Sequence, residues 1–302
     1  MLAFVGLLLV FGAVLGGFLL EKGNLYLLMQ PAEVFIIVGA AAGIILVANP
    51  KTVIVKMLHG VTATFRRPLP SRETYVAHLL MLYELFVYSQ RSGGIVGLES
   101  DVENPSESRM FSRYRGLFRD SGLLEFICDS LRMLIIGATT PQELDLLMDL
   151  DIDVQRRGRQ EPVNALSSVA DSLPGLGIVA AVLGVVITME AINGSPESVG
   201  QKVAAALVGT FLGILLCYGV VSPLAARLEN MSEAHTQFFQ VLRIAIVSYA
   251  RGSAPILAIE YARRSIPVEV RPSFQEMEIS IKRDARIPPV PKPGEPESVA
   301  VE

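Results

Sequence analysis

The sequence predicts an all-α membrane protein with four transmembrane helices, a large helical cytoplasmic domain between helices two and three, and a helical extension after helix four. Three observations lead there. The apolar residues of the 302-residue chain gather into four long runs instead of spreading evenly. Charged residues make up only 19%, against about 25% in an average soluble domain. The polar segments between the runs carry helical spacing and helix-start signals.

Crossing about 30 Å of hydrocarbon takes about 20 mostly apolar residues. The first run, Leu2 to Leu20, contains no charge. It has neither the basic start nor the cleavage site of a signal peptide, so it reads as a membrane helix. After the polar turn Glu21-Lys22-Gly23-Asn24, the second span runs from about Ala32 to Ala48 and stops at Asn49-Pro50. The third runs from about Leu173 to Ile192 and the fourth from about Val203 to Val221, joined by Asn193-Gly194-Ser195-Pro196.

Orientation follows from the cations. Of 26 Lys and Arg, the turn after span one holds Lys22 and the turn after span three holds Lys202; Pro50 to Ser172 holds 14 and the tail after Val221 holds 10. Positive charge stays inside, so both short turns face outward, and both termini and the large loop are cytoplasmic. In that loop Tyr75 to Tyr88 places Val76, Leu79, Leu80, Tyr83, Phe86 and Val87 at helical spacing, one apolar face of an amphipathic helix. Asn104-Pro105-Ser106-Glu107 and Thr140-Pro141-Gln142-Glu143 both read as helix starts with a capping-box acid. Ala225 to Tyr249 reads as a helix continuing span four, and five prolines from Pro288 to Pro296 predict a disordered tail. The expected domains are therefore 1–49 (helices one and two), 50–171 (cytoplasmic domain), 172–224 (helices three and four), 225–286 (helical extension) and 287–302 (tail).

Several function classes fall away. A net charge of −4 gives no basic signature for nucleic acid. Cys128 and Cys217 match no metal spacing, and neither a zinc-hydrolase motif nor a phosphate-binding loop is present. Gly175-Leu176-Gly177-Ile178-Val179-Ala180 fits a dinucleotide fingerprint only formally, since it lies inside a span with no strand before it. His59, His78 and His235 are scattered and read as surface or amphipathic-face residues. No cofactor and no enzymatic constellation is implied.

Within the spans, Gly12/Gly16, Gly39/Gly43, Gly177/Ala181, Ala180/Gly184 and Gly209/Gly213 are small pairs at four-residue spacing, which lets helices pack closely in lipid. Glu33, Asp171 and Glu190 sit at span ends, where interfacial solvation is expected. The span centres offer only Thr188, Thr210, Cys217 and Tyr218 as polar groups. Ion carriers need an ionisable group in the membrane, so here the titrating group is expected from a partner, which disfavours a self-sufficient channel. Pro174 follows Asp171 and Ser172 as a helix-start proline would, and Pro223 sits where a proline kinks a helix.

The stretches Asp171 to Val186, Val208 to Leu216 and Leu98-Glu99-Ser100-Asp101-Val102-Glu103-Asn104-Pro105 resemble the MotA family of flagellar stator subunits. The resemblance covers nearly the whole chain, from the Leu2 span to Pro272-Ser273-Phe274. The wider MotA/TolQ/ExbB group shares the last two spans but differs in its N-terminal layout. An ExbB- or TolQ-like energiser of outer-membrane processes, the competing reading, would have one span before the large domain and a periplasmic N-terminus.

The resemblance implies a ring, generally a pentamer, around a dimer of MotB-like partners whose single membrane helix bears an aspartate. Protonation of that aspartate would turn the ring and push the rotor protein FliG, in the bacterial inner membrane. It implies that Arg91 and Glu99 are a rotor-facing charged pair, which Gly93-Gly94 makes more apt to flank a turn than to share a helix face. It also implies that Pro174 and Pro223 lie beside the ion path and that Thr210 lines it. Sodium-driven relatives carry a hydroxyl where this chain has Ala181; without that oxygen a hard cation loses a ligand, so a proton is favoured over sodium. The basic run Arg156-Arg157-Gly158-Arg159 before span three could contact anionic lipid or the rotor or reinforce orientation, and orientation is the favoured reading.

Overall fold

The computed structural model describes residues 2–66, 69–118, 121–137, 139–190 and 195–285. Every regular element among them is helical. In chain order they are α1 (Leu2–Leu20), α2 (Leu25–Leu28), α3 (Pro31–Ala48), α4 (Lys51–Arg66), α5 (Arg72–Arg91), α6 (Glu99–Glu103), α7 (Arg109–Arg113), α8 (Ser121–Ile136), α9 (Pro141–Glu190), α10 (Pro196–Leu216), α11 (Ser222–Ala250), α12 (Pro255–Ser265) and α13 (Phe274–Asp284). Short 3-10 turns lie at Ile95–Leu98 and Arg115–Leu117, and a π turn at Cys217–Val221. The chain divides into two compact units, one of residues 1–68 with 157–233 and one of residues 69–156 with 234–302. The Pro-rich tail expected at 287–302 lies outside the described residues.

The first unit holds α1 and α3 whole, and residues 157–233 of the two longer helices, which together make four helices apolar enough to span a membrane. α1 and α3 coincide with the first two predicted spans. Asn49 ends α3 with both its backbone and side-chain N–H groups on the Ile45 carbonyl, at 3.1 and 3.2 Å. α9 differs from expectation: its 50 residues, about 75 Å long at 1.5 Å per residue, run without a break through residues 171 and 172. The third span is thus the C-terminal part of a helix that starts at the predicted Thr140 cap. There the Thr140 N–H donates to the Glu143 carboxylate at 2.7 Å. The fourth span is α10 plus the π turn, and α11 continues it as expected. The sequence reading gave no separate element to α4. Its Val53 and Met57 pack on Val163, Leu166, Leu224 and Leu228, and Arg227 donates to the Thr64 carbonyl at 2.9 Å.

The second unit is built around α5, which is not the one-faced helix its spacing predicted. Val76, Tyr83 and Val87 are only half-buried, while Tyr75, Met81, Leu82 and Leu85 join Leu79, Leu80 and Phe86 inside. Neighbours cover the helix on several sides, and each fully buried Leu or Phe contributes about 1.5–3 kcal/mol. Phe86 stacks on Tyr249 with ring centres 4.2 Å apart. Buried Glu84 takes a 2.9 Å ion pair from the half-exposed Arg113; burial, then a hydrogen bond with Glu84, pushes the Tyr114 phenol above its usual range. The predicted helix start at Asn104 is also corrected. Asn104 opens a turn closed by the Glu107 and Ser108 N–H groups on its carbonyl. Ser108 is the actual cap of α7, accepting from the Met110 and Phe111 N–H groups. The local capping signal lost because Ser108 is tied back to Asp101 by its hydroxyl, 2.5 Å away, which holds residues 104–107 as a turn. Farther on, Arg263 and Arg264 hold the Glu260 carboxyl down at about 2, and Arg263 donates to the Pro272 carbonyl at 2.9 Å.

His78 is a core residue, not a surface one. It is 3% exposed, lies 2.7 Å from the Thr74 carbonyl through Nδ1 and meets the Phe238 ring edge-on at 4.8 Å. Burial lowers its pKa, opposed in part by the carbonyls of Thr74 and Leu117. A histidine with a lowered folded pKa stabilises the fold in its neutral form. That contribution is complete above the unfolded value of about 6.5 and is lost as pH falls through the folded value. Thermal melting of the detergent-solubilised chain between pH 8 and 5 should therefore show a falling Tm on the acid side. His78→Phe should flatten that slope; an unchanged slope in the variant would assign it to other groups.

Candidate functional site

Two features of the structure gather the residues with functional expectations. The first is the crossing of α9 with α10, where small residues four apart let the two backbones touch. A β-carbon at Gly177 would lie 2.8 Å from the Gly209 carbonyl oxygen and 3.0 Å from Gly213 Cα. One at Gly213 would lie 2.6 Å from the Leu173 oxygen, and one at Gly184 2.8 Å from Ala206 Cβ. By contrast, Gly12, Gly16, Gly39 and Gly43 have no atom within 4 Å of the β position. Of the small pairs, those of the last two spans are thus the ones that close this chain's own packing.

Of the positions expected beside the ion path, Ala181 and Thr210 lie at this crossing. Ala181 follows the fully buried Ala180, and Thr210 follows Gly209; both are half-buried at the margin of the contact. Pro174 stands inside α9, so the helix-start reading gives way to an interior proline that leaves the Ala170 carbonyl without its N–H donor. Pro223 is the second residue of α11 and is exposed. Where the sequence led to a kink, the structure has a π turn: the Ser222 N–H reaches back five residues to the Cys217 carbonyl. This widened turn makes room for a ring that would otherwise strike the carbonyl four residues earlier. Thr188 is fully buried and donates to its own i−4 carbonyl, Gly184, at 2.8 Å. The opposite side of α9, with Ile178, Val182, Val186 and Met189, is exposed and apolar.

Glu33 overturns its sequence reading. It is 7% exposed, not solvated at an interface, and its carboxylate points into the crossing beside Gly209 and Gly184. Nothing local in the sequence links residue 33 to glycines more than 150 positions away. Pro162, a second proline inside α9, also escaped notice, although proline at a helical position is itself a readable signal.

The second feature is the turn after α5. Arg91 is the last residue of α5 and Glu99 the first of α6. Gly93 and Gly94 between them have φ of 92° and 99°, backbone that favours glycine. The pair flanks a turn, as its spacing implied. Both side chains are exposed, and neither makes an ion pair among the described residues. Fully buried Leu98 and Val102 anchor the turn from below, with Arg132 donating to the Val102 carbonyl at 2.9 Å. Acids of the Asp149–Asp153 stretch are structural instead: Asp149 pairs with Arg243 and Asp153 with Arg156. Cys128 is inert, its thiol pushed up to about 12 by burial.

Comparison with known proteins fits this geometry. Residues 4–93 match the family described as Motility protein A N-terminal, and residues 119–240 match the MotA/TolQ/ExbB proton channel family. Motility protein A of Salmonella typhimurium is 40% identical over 282 residues, 93% of this chain and 95% of the relative. That of Escherichia coli matches equally, and Chemotaxis protein LafT of Vibrio parahaemolyticus is 37% identical over 91% of the chain and 96% of the relative. In fold, the chain is similar to the solved C. jejuni MotAB structure, with a TM-score of 0.75 at 18% identity over 90% of this chain and 98% of that one. The flagellar MotAB stator complex of Bacillus subtilis gives 0.71 at 20% identity over 92% and 98%. A multi-pass membrane architecture, a small-residue helix crossing and likeness along both units place the chain in the motility protein A branch of the MotA/TolQ/ExbB proton channel family.

Proposed function

We infer that this chain is the stator subunit of a flagellar motor, a non-enzymatic component that couples ion flow across the membrane to torque on the rotor. The observation that carries the reading is the layout. Two membrane helices precede the helical unit that bears Arg91 and Glu99, and the likeness to motility protein A extends over both. An outer-membrane energiser of the ExbB/TolQ kind would have one span there, so the stator reading is favoured.

The exposed apolar side of α9 is the surface on which further copies and a MotB-like partner would pack, since its other side is closed by glycine contacts with α10. A ring of copies, a pentamer on the family's pattern, would then surround the partner helices in the bacterial inner membrane, with the large unit and both termini cytoplasmic. The partner would supply the aspartate that titrates. Ala181 and Thr210, at the margin of the crossing, would border its path, and Pro174 with the π turn before Pro223 would let α9 and α10 bend as its charge changes. Ala181 supplies no side-chain oxygen, which supports proton drive over sodium. Arg91 and Glu99 would meet FliG; exposed charges of this sort set specificity and approach rate more than affinity.

Deletion of the gene tests the reading. Cells should assemble complete flagellar filaments that do not turn when tethered, and the wild-type gene should restore rotation. Normal rotation in the deletion strain, with failing outer-membrane uptake, would favour the energiser instead.

A further inference from the structure

Glu33 is a buried acid in the membrane unit for which the mechanism above has no use. It lies in the first turn of α3, two residues after Pro31, on the outward-facing side by the distribution of Lys and Arg. Its carboxylate fills a slot that exists because two neighbours lack side chains. A β-carbon at Gly209 would lie 2.7 Å from Oε2, and one at Gly184 would lie 3.3 Å from Oε1. With 7% exposure the side chain is more than nine-tenths buried, and Oε2 has no hydrogen-bond partner among the described residues.

Among the described residues no ion pair reaches Glu33: neither Lys22 in the turn after α1 nor Lys202 near the start of α10, the two outward cations, pairs with it. α9 has no titratable side chain between Asp171 and Glu190, α10 has none between Lys202 and Cys217, and α1 has none at all. α2 brings Tyr26, which is 81% exposed. α4 brings Lys51, Lys56 and His59, but it begins beyond the far end of α3. An ionisable side chain in hydrocarbon is costly and seldom present without a task. A carboxylate with an orphan oxygen and no ion pair is completed by a proton.

We propose that Glu33 is a second proton-binding carboxyl of the stator complex, loaded from the outer side, whose occupancy sets how tightly α9 and α10 close around the glycine slot. The step is a simple proton exchange. A hydronium ion at the outer mouth gives its proton to Oε2, leaving water and a neutral carboxylic acid, and the reverse step returns the proton to water. The neutral acid costs far less to keep in the dry slot than the anion does, and the anion draws water in and loosens the contact. That contact is shared with the ion-path positions, because the same β position of Gly209 lies 3.2 Å from Ala180 Cβ and from the Ala181 backbone nitrogen. The proposal rests on the stator reading for its role in rotation but not for its chemistry.

The test is pH-difference infrared spectroscopy on the full chain copurified with its partner in lipid nanodiscs. Acidification should raise a protonated-carboxyl band that survives Asp→Asn replacement in the partner's membrane helix. The band should be lost in Glu33→Gln and moved in Glu33→Asp, which keeps the acid if the glutamine variant fails to assemble. A band unchanged in both variants overturns the proposal. In parallel, the deletion strain carrying Glu33→Gln should lose the dependence of swimming speed on external pH, and retention of that dependence counts against the proposal. Failure of the wild-type gene to restore rotation would remove the stator reading alone, since the infrared result decides the carboxyl site independently.

Discussion

Gly213→Val should abolish rotation and break the membrane unit apart. The obstacle at Gly213 is backbone: its β position lies 2.6 Å from the Leu173 oxygen and 2.8 Å from Gly177 Cα. A flexible side chain could swing away, but these atoms move only if α9 and α10 separate along the whole crossing. Overpacking in a tight interior costs about 1–3 kcal/mol, and the rigid neighbours place this change at the upper end. Lost with the contact are the slot for Glu33 and the placement of Ala181 and Thr210. Gly43→Ala is the matched control, because nothing lies within 4 Å of its β position, so packing within the chain should be unchanged. Melting of the solubilised complex and rotation of tethered cells read both arms. A rotating Gly213→Val motor with wild-type Tm would show that the crossing is not needed.

The Arg91→Glu, Glu99→Lys double variant should produce the opposite dissociation: full stability and no torque. Both side chains are exposed at a glycine turn whose hold on the unit comes from buried Leu98 and Val102. Surface substitutions away from buried features change stability by about 0.5 kcal/mol or less. Recognition of a charged rotor surface is more sensitive, since juxtaposed like charges suppress a partner. Filaments should be complete and the Tm unchanged, while tethered cells stand still. Normal rotation would sink the assignment of these residues to the rotor, and a large fall in Tm would show that they serve the fold.

Much of this site was readable in the sequence because its signals are local. The spans announce themselves by composition. Gly93-Gly94 between Arg91 and Glu99 marks a turn, which is where the structure places the pair. The Thr140 cap worked because no distant group competes for it. The Asn104 cap failed because Ser108 and Asp101 engage each other and hold a turn where the pattern offered a helix. His78 and α5 were misjudged for a related reason: periodicity reports one buried face, and α5 is covered on more than one.

Glu33 marks the boundary between the two kinds of information. By itself the sequence determined that four helices are apolar enough to cross a membrane and which glycines are available for close contact. Only the tertiary structure decided which glycines touch, that α9 continues unbroken past Pro174, and that an acid at the start of α3 is enclosed by Gly184 and Gly209. The physical reason is range. Hydropathy, caps and turns are set by neighbours within a few residues, whereas burial of a carboxylate depends on side chains that are missing from other helices.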